Sequence, residues 1–284
     1  MAKIARLTMA HLSHKRNWLR AVFVVILVSM TAMLYEASQH RTTGPDEGVG
    51  VHGKASELIA GKSTIRVGSF NIHGGKGRDG RRDIRRIAKC LQGLDFVGLN
   101  EVCGSRLGQP QDQAELLGRE LGMGWLFAPT VRVWHWRESG NGLLSRRPVT
   151  FWQRIPLPQR HDHSHRNVVL VGLECERGRA VRILITHINR RDPERSLQLR
   201  TVINLFTSLE APAVLLGDLN TGADDPQLRE LLEMPGVSDS VGQVLGEQAQ
   251  NRIDWIITRG LDCVDAGMLD EGASDHPLVW AELR

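Results

Sequence analysis

Residues 64–102 read TIRVGSFNIHGGKGRDGRRDIRRIAKCLQGLDFVGLNEV, and the hydrophobic period changes twice along them. Ile65–Ile72 and Asp95–Val102 are apolar runs of strand length. Between them Ile84, Ile87, Ala88 and Leu91 recur at i, i+3, i+4 and i+7, which predicts a helix stopped at Gly93. Working outward, the same pattern predicts strands at Trp125–Val133, Asn141–Ser145, Val168–Cys175, Val181–Ile188, Ala213–Leu219, Arg252–Ile257 and Leu278–Leu283. Asp192 and Pro193 are an N-cap and first-turn pair opening a helix to about Leu209, with Leu199, Val202, Ile203 and Phe206 on one face. Weaker helical patterns cover Gln111–Leu121 and Pro226–Glu233. Strands with helices inserted between strand pairs predict an α/β layered sandwich.

Composition agrees with a large core. The 284 residues are 41% apolar and 24% charged, which excludes disordered, collagen-like and disulfide-stapled classes. Charge is unevenly placed. Residues 1–41 hold six Lys/Arg and one acid, residues 42–200 hold 26 basic and 16 acidic groups, and residues 201–284 hold four and 15. One part of the domain is Arg-rich and the other supplies carboxylates, which suits an anionic substrate held near a cation. Cys90, Cys103, Cys175 and Cys263 show no CxxC spacing, which argues against a metal cluster; disulfides and free thiols both stay open.

The N-terminus has its own logic. Residues 1–17 are basic, and Ala21–Leu34 (AVFVVILVSMTAML) is apolar except for Ser29 and Thr31, with Trp18, Leu19 and Tyr35 extending it. This predicts a signal-anchor helix over 18–35 that crosses a membrane, the inner membrane in a bacterium, with the bulk of the chain outside the cytoplasm. A cleaved signal peptide, giving a secreted protein, and a buried helix are the alternatives. Residues 36–63 are rich in Gly, Ser, Thr and charge and read as a flexible linker, so the folded domain spans 64–284.

Within that domain, polar residues interrupt the apolar strands where packing alone would not choose them. Asn71 closes IRVGSFN, Glu101 closes DFVGLNE, and His187 interrupts ILITHI. Asp218 and Asn220 close AVLLGDLN, Asp254 interrupts RIDWII, and Asp275 and His276 precede the last strand. A buried carboxylate or imidazole without partners costs several kcal/mol, so each must be paired or face a site. Hard oxygen ligands suit Mg2+, the His and Asp residues offer a general base and its orienter, and Asn and His donors can stabilise charge on phosphoryl oxygens. Neither GxSxG nor a Walker loop is present. The run His161, His163 and His165 reads as a zinc site or a solvated turn.

Six motifs in order, SFNIHGG (69–75), LNEV (99–102), GNGLLSRRP (140–148), THI (186–188), GDLN (217–220) and RIDWI with SDHP (252–256, 274–277), resemble the endonuclease/exonuclease/phosphatase superfamily, the deoxyribonuclease-like fold. The resemblance covers residues 64–284 and is nearest to small bacterial metal-dependent hydrolases. It implies a four-layer α/β sandwich, two packed mixed β-sheets flanked by helices, beside the N-terminal anchor helix. It also implies a Mg2+-dependent phosphoester hydrolase, with Mn2+ as the alternative ion. Glu101 is then the main metal ligand with Asn71 beside it, and Asp275 lies at the metal or at a second metal position. His276 matches the general base, oriented by Asp254, while Asp218 and Asn220 position the water and the phosphate. The pattern leaves either Asp218 or His276 as the group that takes the proton. His187 resembles a phosphate-contacting histidine that the abasic-site endonuclease branch lacks. Two departures are Asn100, where a Gln usually precedes the metal Glu, and Trp255, where Tyr or Phe follows the Asp.

Substrate readings stay open. The Gly-rich basic loop His73–Arg82 reads as a contact to an anionic headgroup or backbone, or as a solvated turn. Trp134, His135 and Trp136 read as a stacking platform, a lipid anchor, or half-buried packing. The weak net charge of the domain and the membrane segment tilt the reading toward a lipid headgroup or small phosphoester. A nuclease acting on DNA or RNA is the alternative, a non-catalytic binding module is the third class, and a monomer is expected.

Overall fold

The computed structural model describes residues 2–38, 41–53, 64–105, 108–133, 137–160, 165–175 and 180–284. The chain separates into two units, residues 1–40 and 41–284. The first is one helix, α1 (Ala2–Ser38). Its stretch Arg16–Glu36 has a mean hydropathy of 1.9 over 21 residues, long and apolar enough to cross a bilayer and equally compatible with a signal sequence. The basic segment and the apolar segment thus share one helix, which continues past 35 to Ser38.

The second unit alternates strands and helices. It opens with two short strands, β1 (Arg41–Thr42) and β2 (Asp46–Gly48), before β3 (Ile65–Asn71), α2 (Ile84–Cys90) and β4 (Phe96–Cys103). There follow α3 (Gln113–Leu121), β5 (Gly124–Val133), β6 (Arg137–Ser145), β7 (Val149–Pro156), β8 (Asn167–Glu174) and β9 (Ala180–His187). The rest comprises α4 (Glu194–Ser208), β10 (Ala213–Asp218), α5 (Pro226–Leu232), β11 (Val237–Asp239), α6 (Ser240–Leu245), β12 (Asp254–Arg259), β13 (Cys263–Leu269) and β14 (Leu278–Leu283). Aspartates start four of the helices: Asp83, Asp112, Asp225 and Asp239 each accept a backbone N–H of the first turn of α2, α3, α5 and α6. At α4 the cap position falls on Pro193 rather than Asp192, although Asp192 still accepts the Ser196 N–H at 3.2 Å.

Two seven-stranded sheets result, in the orders β1-β5-β6-β4-β3-β14-β13 and β11-β12-β10-β9-β8-β7-β2. Each is antiparallel except for one central parallel pair, β3 with β4 and β9 with β10. Side chains alternate between two apolar environments along these strands. Val67, Phe96, Ile183, Ile185, Val214 and Leu216 fill the space between the sheets. Val97 and Leu99 pack with Ile87, Leu91 and Leu117 of α2 and α3, whereas Leu184 and Leu215 pack with Leu199, Phe206 and Leu228 of α4 and α5. The order of layers is therefore helix, sheet, sheet, helix, the architecture expected.

Several expectations change. Residues 36–38 continue α1 and residues 41–53 are hydrogen-bonded to the domain, so a flexible linker over 36–63 does not hold there; residues 54–63 lie outside the described ones. Thr42 pairs with Val131, Asp46 with Arg154, and His52 with Trp125. Strands β7, β11 and β13 and helix α6 were not anticipated. In β7 Arg154 and Gln153 dilute the apolar run, and in β13 Asp265 and Gly267 do the same. The four cysteines are free thiols.

Candidate active site

The two parallel strand pairs point the same way, so the C-terminal ends of β3, β4, β9 and β10 meet at one end of the sandwich. Asn71, Glu101, His187 and Asp218 occupy those four ends. Asp254 opens β12 directly opposite Asp218 in the antiparallel register, and Asp275 and His276 stand in the turn before β14. Gly217 permits this convergence: its φ is 148°, and a Cβ there would lie 1.9 Å from the carbonyl oxygen of Thr186.

A line of buried amides ties the sheets together beneath these groups. Asn100 donates to Asn141 Oδ1 at 2.8 Å and to the Thr186 carbonyl at 3.0 Å, and accepts the Asp218 N–H at 3.1 Å. Asn141 in turn donates to Asn167 Oδ1 at 2.9 Å, and Asn167 to the Pro129 carbonyl at 3.0 Å. The short side chain of Asn100 thus makes three good bonds, two to the second sheet, and fixes the Asp218 backbone. Asn71 performs the matching task for the carboxylate, donating to Asp218 Oδ2 at 3.1 Å.

Asp218 sits between two imidazoles, 3.4 Å from His187 Nε2 and 3.8 Å from His276 Nε2. His276 Nδ1 bonds Asp254 Oδ2 at 2.7 Å, which leaves Nε2 directed to the cleft side of the pair. Burial and the Asp254 charge push Asp218 up from 3.8 to about 6. Burial likewise raises Asp254, whose Oδ1 is enclosed without a hydrogen-bond partner. Burial acts against the charge on His276, but the Asp254 hydrogen bond and the Asp254, Asp218 and Asp275 carboxylates outweigh it and lift His276 to about 9. His187 goes the other way: full burial, then the positive charges of Arg166 and His276, hold it well below 6.5 and keep it neutral.

Glu101 differs from these paired groups. The β4–β6 register shifts between Leu99 and Val102, and Glu101 adopts a left-handed backbone with φ 55°. Of the four non-glycine residues with positive φ among the described residues, His73, Glu101 and Asn220 belong to this end of the sandwich and only Asn251 does not, so backbone strain collects at the site. The half-buried Glu101 carboxylate makes no hydrogen bond or ion pair with the described residues. Glu101 lines one cleft with Asp275, and oxygen donors of this kind fit a hard divalent cation. Donor atoms of Asp218, Asp254 and His276 also lie within 4.8 Å of one another. The short His276–Asp254 bond already uses two of them, so that trio reads as proton-handling machinery.

All of this borders a cleft of about 440 Å³ lined by Glu101, Asp218, Asn220, Asp275, His276 and His187, together with Arg166, Asn189, Arg190 and Arg191. The eight residues singled out from the sequence come together here, Asn71 and Asp254 through their bonds to Asp218 and His276. Asn220 donates to the Ile188 carbonyl at 3.0 Å, so one of its amide protons is spent on the scaffold. Sequence reasoning missed Arg166, Asn189, Arg190 and Arg191, although the last three directly follow the THI motif. Trp255 is fully buried, donating to the Thr221 carbonyl at 3.0 Å under the Arg252 guanidinium. Trp134, His135, Trp136, His161 and His163 lie outside the described residues.

A family model described as the Endonuclease/Exonuclease/phosphatase family matches residues 68–276. Among solved structures, an endonuclease/exonuclease/phosphatase from Beutenbergia cavernae DSM 12333 is similar, with a TM-score of 0.64 at 24% identity over 78% of this chain and 71% of that one. A humanised D. rerio TDP2 carrying 14 mutations aligns with a TM-score of 0.59 at 21% identity, over 78% of this chain and 100% of that one. The human Nocturnin catalytic domain with bound sulfate anion aligns with a TM-score of 0.60 at 18% identity, over 84% and 97%. No curated protein matches.

Proposed function

Because the chain belongs to the endonuclease/exonuclease/phosphatase family, whose members hydrolyse phosphoester bonds, we propose that it is a Mg2+-dependent phosphoester hydrolase held at a membrane by residues 18–35. The observation that carries the reading is Asp218, wedged between His187 and His276 in a cleft it shares with Glu101. Glu101, with Asn71 and Asp275 beside it, would hold the cation. When bound, Mg2+ (with Mn2+ as the alternative) supplies Lewis-acid neutralisation of phosphoryl oxygens.

The chain's own residues divide the remaining work. Asp218 is ionised above about 6, which suits it to take the proton of the attacking water. His276, kept cationic to about 9 by Asp254, stabilises the charge developing on the phosphoryl group, and neutral His187 and Asn220 orient it. Arg166, Arg190 and Arg191 line the same cleft and favour a polyanionic substrate, which keeps a nuclease as the second reading beside a lipid headgroup or small phosphoester.

The test uses full-length protein in detergent with bis(4-nitrophenyl) phosphate. Turnover requires Mg2+, disappears with EDTA, and falls at least about 100-fold in Glu101→Gln, the scale at which loss of a transition-state partner is felt. Undiminished turnover in EDTA or in Glu101→Gln overturns the reading. Tight binding of vanadate without any turnover favours a binding module.

A further inference from the structure

A second cavity of about 260 Å³ adjoins the catalytic one, lined by His73, Gly74, Arg82, Cys103, Thr130, Ser139, Gly140 and Asn141, and the two share Glu101, Arg166 and His187. The shared residues include Glu101, proposed to hold the cation, and His187, proposed to orient the phosphoryl group. In the mechanism proposed above, water activated by Asp218 would attack from the first cavity, and in an in-line displacement the leaving oxygen departs on the side away from that water. The adjoining second cavity offers space for the leaving alcohol.

Its lining carries Arg82 and Arg166 against one carboxylate, Glu101, and that carboxylate is the one the proposed cation neutralises. Two nearby arginines, one in the loop and one in α2, are paired with carboxylates. Arg78 is paired with Asp270 at 2.6 Å, and Arg86 with Asp79 at 3.0 Å. Arg82 is instead held by a carbonyl, Nη1 donating to Gly74 at 2.6 Å, with no carboxylate partner among the described residues. Its position is also fixed in advance. The loop is pinned to the turn before the Asp275–His276 pair by the Arg78 N–H on the Gly272 carbonyl at 3.1 Å, and Gln113 grips the same Gly74 carbonyl at 2.8 Å. A guanidinium anchored through one nitrogen keeps further N–H donors for a bidentate oxyanion.

We infer that this second cavity, in the hydrolase proposed above, is a subsite for a second phosphate group carried by the leaving alcohol, and that Arg82 is the residue that recognises it. The required substrate is a phosphoester with a neighbouring phosphate, as in a nucleic-acid strand or a phosphorylated lipid headgroup. Two arms of one experiment separate these sources. Full-length protein with Mg2+ is given the dinucleotide TpT beside pTpT and TpTp, and vesicles of phosphatidylinositol beside phosphatidylinositol 4-phosphate.

In one arm the phosphorylated member is preferred at least about 10-fold in kcat/KM, chiefly through KM, consistent with one charge-assisted contact. That ratio collapses toward unity in Arg82→Gln and is partly restored in Arg82→Lys. It also shrinks with added KCl in the wild type, a readout independent of how any variant folds. No preference in either arm, a preference untouched by Arg82→Gln, or one insensitive to salt overturns the subsite while leaving the hydrolase standing. Failure of the wild type to cleave bis(4-nitrophenyl) phosphate overturns both.

Discussion

Asp218 and His276 are 3.8 Å apart and both stand above their ordinary values: burial and the Asp254 charge lift Asp218 to about 6, while the Asp254 hydrogen bond and the surrounding carboxylates outweigh burial and lift His276 to about 9. The proposed mechanism requires the first to be ionised and the second protonated. The expected profile of kcat/KM at saturating Mg2+ therefore rises as pH passes about 6 and falls as it passes about 9. Asp254→Asn removes the carboxylate that supports His276, so the alkaline limb moves toward neutrality and kcat falls on the order of 100-fold or more. A pH series on wild type and variant checks this; an alkaline limb that stays in place removes His276 from the proposed role. Substituting Asn100 acts elsewhere. Asn100→Ala strands the Asn141 amide oxygen, the Thr186 carbonyl and the Asp218 N–H in a dry interior, at a cost of about 1–3 kcal/mol for each group left unpaired. A clear drop in thermal midpoint is expected with only a modest rise in KM, measured by calorimetry and kinetics.

The strands that carry the chemistry were the most legible in the sequence, for a physical reason. Strands β3, β4, β9 and β10 are central and covered on both faces, so their residues form unbroken apolar runs and a polar residue at the tip stands out. Asn71, Glu101, His187 and Asp218 were found that way. Strands β7 and β13 lie away from the centre of their sheets, where half-exposed positions tolerate Arg154 or Asp265, and the period-2 signal is lost. The cleft arginines were hidden differently. Nothing in the local pattern distinguishes Arg82 from Arg78 or Arg86, because only the fold decides which of them meets a carboxylate. Asn100 shows the limit of comparison by residue type: it is shorter than the usual Gln, and the sheets simply approach closely enough for it to reach across. Gly217 marks a close approach of a different kind, between β10 and its neighbour β9 within one sheet. Gly217→Ala would drive a methyl group into the Thr186 carbonyl, so expression of this variant should yield little folded protein, judged by its circular dichroism and its thermal melt.

The whole chain divides its charge by location. The domain is nearly neutral, while Arg82, Arg166, Arg190 and Arg191 line its cleft cavities, so substrate attraction is local to the mouth of the site. With the helix retained as an anchor, full-length protein stays with membranes after carbonate washing and migrates at its full mass; release at a lower mass identifies a cleaved signal instead. The short strands β1 and β2 carry one more lesson. Within residues 41–48 the chain pairs first with β5 of one sheet and then with β7 of the other, closing the margin of both. Cut away, they would bare two rows of unpaired backbone amides and carbonyls, the kind of open edge that invites strand addition and clumping. A soluble fragment meant for crystallisation or assay should begin at residue 41, and one begun at residue 64 is expected to self-associate on a sizing column.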